Sequence, residues 1–372
     1  MTLFDDAPHA PEPRTRRAPS RGVVVGAWSL VVALLCLLGL SFLPTAYVIE
    51  QPGPVYNTIG DVTGADGSEV PLLKIDGTQT YDPSGALNLL TVQVVGSPER
   101  PTSWLQIVSA WFDRTRAVVP MEAVFPSGQT SDQRSQQNAE MMTDSQVDAE
   151  AAAFRHLGYD VKPTLAVTSV SDDAAAKGLL APGDEILSVD GQRLTSADAL
   201  RAAVAASAGA AMTFEIDRDG AQQTVSVTPA AVGDGKWLLG VTAQQSYEIP
   251  YEVTFGLTNV GGPSAGMMFA LGIIDTVTPD DLTGGHDVAG TGTITAEGTV
   301  GAIGGIRQKM WGAADAGAQY FLAPRSNCDE VVGHVPPGLR VFAVSTLDDA
   351  LTALQAIAHD GDLDALPTCS AG

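Results

Sequence analysis

The chain has 372 residues, which is enough for two or three domains with ample apolar cores. Its 20 basic and 43 acidic side chains leave a formal net charge of −23, and this negative excess argues against a nucleic-acid partner. Lysine is scarce, so each lysine can be considered individually; the lysines are Lys74, Lys162, Lys177, Lys236 and Lys309.

The amino terminus predicts a membrane anchor. Residues 1–21 are rich in Pro, Arg and Ala, which is typical of a disordered tail. Residues 22–43 carry no charge, and these 22 residues at helical rise would span about 33 Å, enough for the ~30 Å core of a bilayer. Arginines precede this segment and no basic residue follows it before Lys74, so we expect a single transmembrane helix with a cytoplasmic amino terminus and an extracytoplasmic remainder. A cleaved signal peptide is the alternative, but the apolar run is long and Pro44-Thr45-Ala46 is a poor cleavage site.

Residues 44–157 are predicted to form an amino-terminal extracytoplasmic region that packs on the carboxy-terminal domain. Up to about residue 119, short apolar runs alternate with Gly/Pro turns, a pattern that predicts strands. Residues 127–153 are polar, but Met141, Met142 and Val147 recur at helical intervals and predict a helix.

Residues 158–232 have the alternation of a small β domain. Residues 165–170 predict a strand, residues 174–180 a short helix, and residues 196–206 an amphipathic helix with an amino-terminal cap. Asp190-Gly191 and Asp219-Gly220 predict two tight hairpins.

This segment resembles a bacterial PDZ domain of β-sandwich or barrel type. The resemblance depends on four motifs in the expected order: Ala174-Ala175, Gly178-Leu179, Gly183-Asp184-Glu185-Ile186 and Val189-Asp190-Gly191. PDZ domains bind an extended peptide as an added strand beside a helix. The resemblance therefore implies a peptide groove lined by Leu165, Ala166, Val167, Leu200 and Val204, with a domain used only for packing as the alternative.

Residues 236–358 alternate strand-like and helix-like runs and predict an α/β domain, followed by a tail over 359–372. Helices are expected at 263–274, 306–316 and 347–359, and strands at 292–296, 320–323 and 341–344.

A serine opens the first of these helices, in the sequence Gly-Pro-Ser-Ala-Gly at 262–266. Glycine allows a substrate backbone to approach closely, and free N–H groups at a helix amino terminus can stabilise an oxyanion. Ser264 is therefore a candidate nucleophile, with the backbone of Gly262, Pro263 and Ala265 as the candidate oxyanion site. The alternative is an ordinary capped helix start.

Lys309 falls in the first turns of the next helix, among apolar and small residues. A solvated surface charge is one interpretation. If the side chain instead points inward beside Ser264, desolvation would lower its pKa, and the neutral amine could act as the general base of a serine–lysine dyad.

Residues 258–330 resemble the proteolytic domain of Lon proteases. The matching stretches are Gly-Pro-Ser-Ala-Gly (262–266), Thr-Gly-Thr-Ile-Thr-Ala-Glu-Gly (291–298), Val300, Ile303-Gly304-Gly305-Ile306 with Lys309, and then Ala313-Ala314 through Gly317, Pro324 and Asn327. This resemblance implies Ser264 as nucleophile, Lys309 as base and Thr291 as a supporting hydrogen-bonding residue. The order of anchor, PDZ-like segment and Lon-like domain further resembles bacterial membrane-anchored Lon-like proteases with a PDZ domain.

The chain departs from Lon enzymes in two respects. Lon enzymes usually carry an acidic residue two before the proline, where this chain has Gly261. A phosphate-binding loop needs Gly-Lys-Ser/Thr, but the one Gly-Lys here is followed by Trp237. We therefore expect catalysis without ATP.

The histidines and cysteines contribute less. His286-Asp287 is adjacent in a Gly-rich stretch and is read as a surface loop rather than as part of a triad. No histidine has metal-ligand spacing, so we expect neither a metal nor a cofactor. Cys328 and Cys369 would lie in an oxidising compartment and could form a disulfide, with two unpaired thiols as the alternative.

The sequence therefore predicts an α+β multidomain, membrane-anchored serine endopeptidase with peptide or protein substrates. A catalytically inactive PDZ adaptor or an envelope scaffold on a Lon-like fold is the alternative. Homo-oligomer formation is left open.

Overall fold

The computed structural model describes residues 21–64, 67–126, 128–233, 235–257 and 260–370. The predicted disordered tail lies outside the described residues, apart from Arg21. The helices are α1 (Arg21–Phe42), α2 (Trp104–Trp111), α3 (Met121–Val124), α4 (Ser131–His156), α5 (Ala197–Ala206), α6 (Gly266–Val277), α7 (Ile306–Asp315), α8 (Cys328–Val331) and α9 (Leu347–Ala358), with 3-10 helices at Pro263–Ala265 and Arg325–Asn327.

The strands in the amino-terminal half are β1 (Tyr47–Asn57), β2 (Asp61–Thr63), β3 (Glu69–Pro71), β4 (Leu73–Asp76), β5 (Ala86–Val95), β6 (Ala117–Pro120), β7 (Pro163–Val170) and β8 (Glu185–Val189). Those that follow are β9 (Met212–Arg218), β10 (Ala221–Val227), β11 (Ala230–Ala231), β12 (Trp237–Leu238), β13 (Val241–Tyr247), β14 (Glu252–Phe255), β15 (Asp287–Gly290), β16 (Thr293–Ile294), β17 (Val300–Gly301), β18 (Tyr320–Pro324) and β19 (Arg340–Val344).

A six-stranded sheet combines strands from the amino-terminal and carboxy-terminal parts of the chain, in the order β19-β18-β15-β5-β1-β6. The strands from β19 to β5 run parallel, whereas β1 pairs antiparallel with both β5 and β6. Helix α6 is buried along almost its whole length, with Phe269 and Leu271 fully buried in the main apolar core. The predicted region 44–157 therefore does more than pack on the carboxy-terminal domain, because it supplies three strands of that domain's sheet.

The PDZ-like segment forms a second sheet with its own core. Its order is β10-β9-β8-β7-β13, and its core is centred on Leu165, Phe214 and Ile216. Both predicted tight turns occur, with Asp190 and Asp219 in the left-handed region ahead of Gly191 and Gly220. The predicted boundary at residue 232 is too early, because β13 completes this sheet after that position.

Most predicted helices are present, and two local predictions are wrong. Residues 174–180 form turns rather than a helix, since Leu179 and Leu180 N–H both donate to Ala176 O without a following helical turn. The predicted strand 292–296 is reduced to β16, and the longer strand of this region, β15, precedes it.

The predicted transmembrane helix over 22–43 lacks support. Helix α1 covers this segment. Among the residues that the structure describes, however, no helix combines the length and apolar character that a membrane crossing needs.

Candidate active site

The segment that carries Ser264 changes direction sharply just before α6. Gly262 has φ 91° and ψ 155°, a conformation that favours glycine, and Pro263 then begins the 3-10 helix. At Gly266 a Cβ atom would lie 2.7 Å from Ser145 Oγ and 2.9 Å from Ile294 Cγ2, so close packing requires glycine there. Local sequence thus places Ser264, which is half-buried, at the entrance to a buried helix.

Two neighbouring residues hold the Ser264 carbonyl. Thr291 Oγ1 donates to Ser264 O at 3.0 Å, and the Gly292 N–H donates to the same oxygen at 3.0 Å. Both donors lie just after β15, so the end of this strand fixes the backbone of Ser264. Thr291 is fully buried, so its hydroxyl is held in place and water does not compete for its hydrogen bonds.

Lys309 reaches Ser264 from the first turn of α7. The helix begins after Gly305, which has φ 67° and ψ 32°, and a Cβ atom there would lie 2.7 Å from Val92 Cγ2. Lys309 is 2% exposed, and its Nζ lies 2.7 Å from Ser264 Oγ and 2.8 Å from Thr291 Oγ1. The structure therefore brings together all three side chains that the sequence nominated.

The surroundings of Lys309 favour a neutral amine. Burial lowers the pKa of Lys309 to about 7, because a charged ammonium loses its hydration there. In the described part of the chain, Nζ forms hydrogen bonds to two hydroxyls and no ion pair that would favour the charged form. The auxiliary carboxylate that Gly261 replaces is thus not supplied by another described element.

The hydrogen-bond directions orient the amine. Thr291 uses its hydroxyl hydrogen to donate to Ser264 O, so its oxygen accepts from Lys309 Nζ. With one N–H directed at Thr291, the lone pair of a neutral Nζ can face the Ser264 hydroxyl. This arrangement can remove a proton from Ser264 Oγ.

The predicted oxyanion site needs correction. Gly262 N–H already donates to Asn138 O at 2.8 Å, and Pro263 has no amide hydrogen. Ser264 and Ala265 are the second and third residues of the 3-10 helix and have no acceptor within it, so Ala265 N–H stays a candidate donor and Ser264 N–H joins it.

A cleft of about 910 Å³ opens over the dyad. Strands β1 and β5 form the first wall, and the first half of α4 forms the second. The segment 302–305, between β17 and α7, forms the third wall. Besides Lys309, the charged residues that line it are Glu50 and Arg134, and burial raises the pKa of Glu50. Arg134 donates to Val124 O and stacks on Phe125 with its Cζ 5.3 Å from the ring centroid. The cleft is large enough for several residues of an extended peptide.

Helix α4 is a part of the site that the sequence did not identify. Besides accepting from Gly262 through Asn138 O, it contributes Ser145, which is 4% exposed and donates to Pro263 O at 2.9 Å. A serine on the apolar face of an otherwise polar helix was the available signal, but nothing in the sequence indicated its partner.

The predicted PDZ groove is not open. Leu165, Val167, Leu200 and Val204 are all buried in the core of the five-stranded sheet. Strand β7, the strand expected to receive a peptide, pairs along its length with β13, from Pro163↔Tyr247 to Val170↔Val241. Its other edge faces β8 through Ala166↔Glu185. The chain's own strand β13 thus occupies the edge of β7 that was predicted to receive a peptide, and β13 becomes the terminal strand of the sheet.

The remaining predicted residues fall elsewhere. Cys328 and Cys369 are joined in a disulfide, which fastens the tail to the segment after β18. His286 packs edge-on against Tyr320, 5.7 Å between ring centroids, and is remote from the dyad's hydrogen bonds. Within the described ranges, no cluster of His, Cys, Asp and Glu could hold a metal ion.

Comparison with known families fits this geometry. Residues 183–356 match the Lon protease (S16) C-terminal proteolytic domain, a range that contains Ser264, Thr291 and Lys309. Residues 137–216 match the PDZ domain, so the two matches overlap inside the five-stranded sheet.

Individual Lon proteases are similar to shorter stretches of the chain. The chain is 31% identical over 140 residues to a Lon protease of Campylobacter concisus, covering 37% of this chain and 17% of that protein. It is 35% identical over 113 residues to a Lon protease of Azospirillum brasilense, covering 30% and 14%. The PDZ domain of an SdrC-like protein from Listeria monocytogenes shares 22% identity, covers 21% of this chain and 85% of that domain, and has a TM-score of 0.20.

The chain thus spans less than a fifth of the length of the curated relatives it matches. A Lon-type proteolytic domain together with these relatives supports a serine endopeptidase.

Proposed function

We propose that this protein cleaves peptide bonds with Ser264 as nucleophile and Lys309 as general base, through an acyl-enzyme. One observation carries the proposal: a buried lysine amine with its pKa lowered to about 7 lies 2.7 Å from a half-buried serine hydroxyl in an open cleft. A surface lysine would show neither the burial nor the shift.

The reaction follows from these contacts. Ser264 Oγ attacks the substrate carbonyl carbon while its proton passes to neutral Lys309 Nζ. The Ser264 N–H and the positive end of α6 stabilise the oxyanion. Collapse breaks the C–N bond, and Lys309 returns the proton to the leaving amine. Water then repeats the sequence on the ester and releases Ser264.

Thr291 serves the dyad without reacting. Its hydroxyl orients Lys309 Nζ and holds the Ser264 carbonyl, so base and nucleophile keep their distance during turnover. Both oxygen contacts would be lost with a valine at this position.

Substrates are peptides or proteins that enter the cleft in an extended form. The cleft's mixed polar and apolar lining offers both hydrogen-bonding groups and apolar contacts to such a peptide. The filled edge of β7 excludes peptide addition to β7 itself, so a peptide that joined the PDZ-like sheet on this side would pair with the outer edge of β13, its terminal strand. Since the chain has no phosphate-binding loop sequence, the proposed reaction uses no ATP.

The proposed location is extracytoplasmic. The Cys328–Cys369 disulfide supports it, because such bonds persist in oxidising compartments. Membrane attachment through residues 22–43 and homo-oligomer formation stay predictions from the sequence.

Ser264→Ala tests the proposal. We expect cleavage of an unfolded protein such as casein to fall by about 1000-fold or more, because the nucleophile is removed. A fluorophosphonate should label wild-type Ser264, identified by peptide mass spectrometry, and should not label the variant. ATP added to the wild type should leave the rate unchanged.

Ser326→Ala is the matched control, since Ser326 is exposed and lies outside the site. It should cleave and label like the wild type. Cleavage that survives Ser264→Ala would overturn the dyad, and a wild type that neither cleaves nor labels would favour an inactive adaptor or scaffold.

A further inference from the structure

Asn327 lies behind the third wall of the cleft, in a position that the reaction does not use. It is 3% exposed and ends the 3-10 helix after β18. Its Oδ1 accepts from Ile303 N–H at 2.9 Å, and its Nδ2 donates to Ile303 O at 2.9 Å. One side-chain amide thus satisfies both backbone groups of a single residue, as a neighbouring strand would.

Ile303 lies just after a strand of a short hairpin. Two residues earlier, Gly301 pairs with Thr293 of β16 in the β16–β17 hairpin. In an extended chain, residues two apart present their N–H and C=O groups to the same edge. The strand ends at Gly301, and Asn327 then supplies Ile303 with the donor and the acceptor that a neighbouring strand would have supplied.

The residues on either side of Ile303, Ala302 and Gly304, do not share its contacts with Asn327. In an extended segment their N–H and C=O groups would point to the edge opposite Asn327. Both residues are exposed and line the cleft, and a Cβ atom at Gly304 would meet nothing within 4 Å. In the described ranges no backbone hydrogen bond of a turn, loop or cap uses either residue.

We propose that the backbone of Ala302 and Gly304 is the edge to which a substrate's main chain pairs, and that Asn327 is the positioning residue that holds this edge open. An extended peptide would add to it as a strand, with its cleaved carbonyl at Ser264. The inference rests on the proposed peptidase function and adds to it the mode of substrate binding.

Further contacts brace Asn327. Its Nδ2 also donates to Glu330 Oε1 at 3.0 Å, and Arg307 Nε of α7 donates to Glu330 O at 3.3 Å. Cys328, the next residue, is bridged to Cys369. The disulfide and α7 thus fix the peptide-binding edge relative to Lys309, which lies on the same helix as Arg307.

The test separates substrate binding from chemistry. For Asn327→Ala we expect KM for a peptide that spans the cleft to rise about tenfold or more, because loss of Asn327 frees Ile303 and lets the edge move. The rate at which a small fluorophosphonate labels Ser264 should stay within about twofold, since that reagent contacts only the nucleophile. A purely structural role would change both readouts together.

Ala302→Pro is the second variant, because proline removes one N–H from the proposed edge and leaves Asn327 intact. It should raise KM in the same way, and it carries the test by itself if Asn327→Ala does not fold. Ser326→Ala, next to Asn327 and exposed, is the control and should match the wild type in KM and labelling.

An unchanged KM in folded Asn327→Ala or in folded Ala302→Pro would overturn the inference, even with the dyad intact. If the fluorophosphonate does not label Ser264 in the wild type, that result would instead contradict the proposed function itself. The two failures are therefore distinguishable.

Discussion

The sequence predicted one site beside each of the two larger sheets of the described chain, and the two sites differ in what surrounds them. At the dyad, polar atoms lie against an apolar core and face an open cleft. In the PDZ-like sheet, four of the five predicted groove side chains are themselves part of the core, Ala166 is half-buried, and β13 pairs with the edge of β7 beside them. Burial of a polar group that has a reactive partner indicates chemistry, whereas burial of an apolar group indicates packing.

This comparison makes opposite predictions for substitutions in the two regions. At the candidate active site, a substitution should reduce activity and leave the free energy of unfolding intact. At the predicted groove of the PDZ-like sheet, a substitution should lower the free energy of unfolding and leave the reactivity of Ser264 intact.

The largest expected effect is that of Lys309→Met, which should reduce casein cleavage by about 1000-fold or more because the base is lost. Its free energy of unfolding should equal or exceed that of the wild type at pH 7. The reason is that Lys309 has a pKa of about 7 when folded and an ordinary value near 10.5 when unfolded, so the unfolded state binds more protons there. Urea unfolding measures this, and a strongly destabilised Lys309→Met would mean that the lysine holds the fold rather than the reaction.

The second expected effect is that of Leu165→Ala, which should lower the free energy of unfolding by about 2–5 kcal/mol because Leu165 is fully buried. The fluorophosphonate labelling rate of the folded protein should not change. Gln222→Ala on the exposed strand β10 is the control and should unfold like the wild type. If Leu165→Ala instead weakened the binding of an extended peptide at little cost in stability, the PDZ-like groove would be an open site after all.

The smallest expected effect is the pH dependence of the dyad. Because only neutral Lys309 can accept a proton, the labelling rate of Ser264 should rise about tenfold per pH unit below pH 7 and level off above it. The measurement is the second-order rate constant between pH 5 and 9, with unfolding monitored at each pH. A rate that is flat through pH 7, or that falls with rising pH, would contradict a neutral amine as base.

The sequence predicted the parts of the site that depend on local geometry. Glycine and proline at 261–263 and glycine at 304–305 mark sharp turns before helices, and such turns place Ser264 and Lys309 whatever lies around them. The Lon-like order of the Ser264, Thr291 and Lys309 stretches then implied that the three meet. The Asp-Gly turns of the PDZ-like sheet were equally local and are present.

Longer-range features were missed because their partners are far apart in sequence. β5 pairs with β15 across about 200 residues, so no local pattern could assign β1, β5 and β6 to the sheet of the carboxy-terminal domain. Asn327 and Ser145 gain their roles from Ile303 and Pro263, which the sequence does not connect to them.

By itself, then, the sequence determined which groups are the candidates for the proposed chemistry, since reactive side chains beside glycine-bounded helix starts are properties of short segments. Only the tertiary structure decided that Lys309 is buried, which lowers its pKa to about 7, and that β13 covers the edge of β7. It also decided that Ala302 and Gly304 lie exposed along the cleft. Desolvation, strand pairing and edge exposure each depend on whether segments distant in sequence pack over a given residue, and this is decided by the tertiary structure.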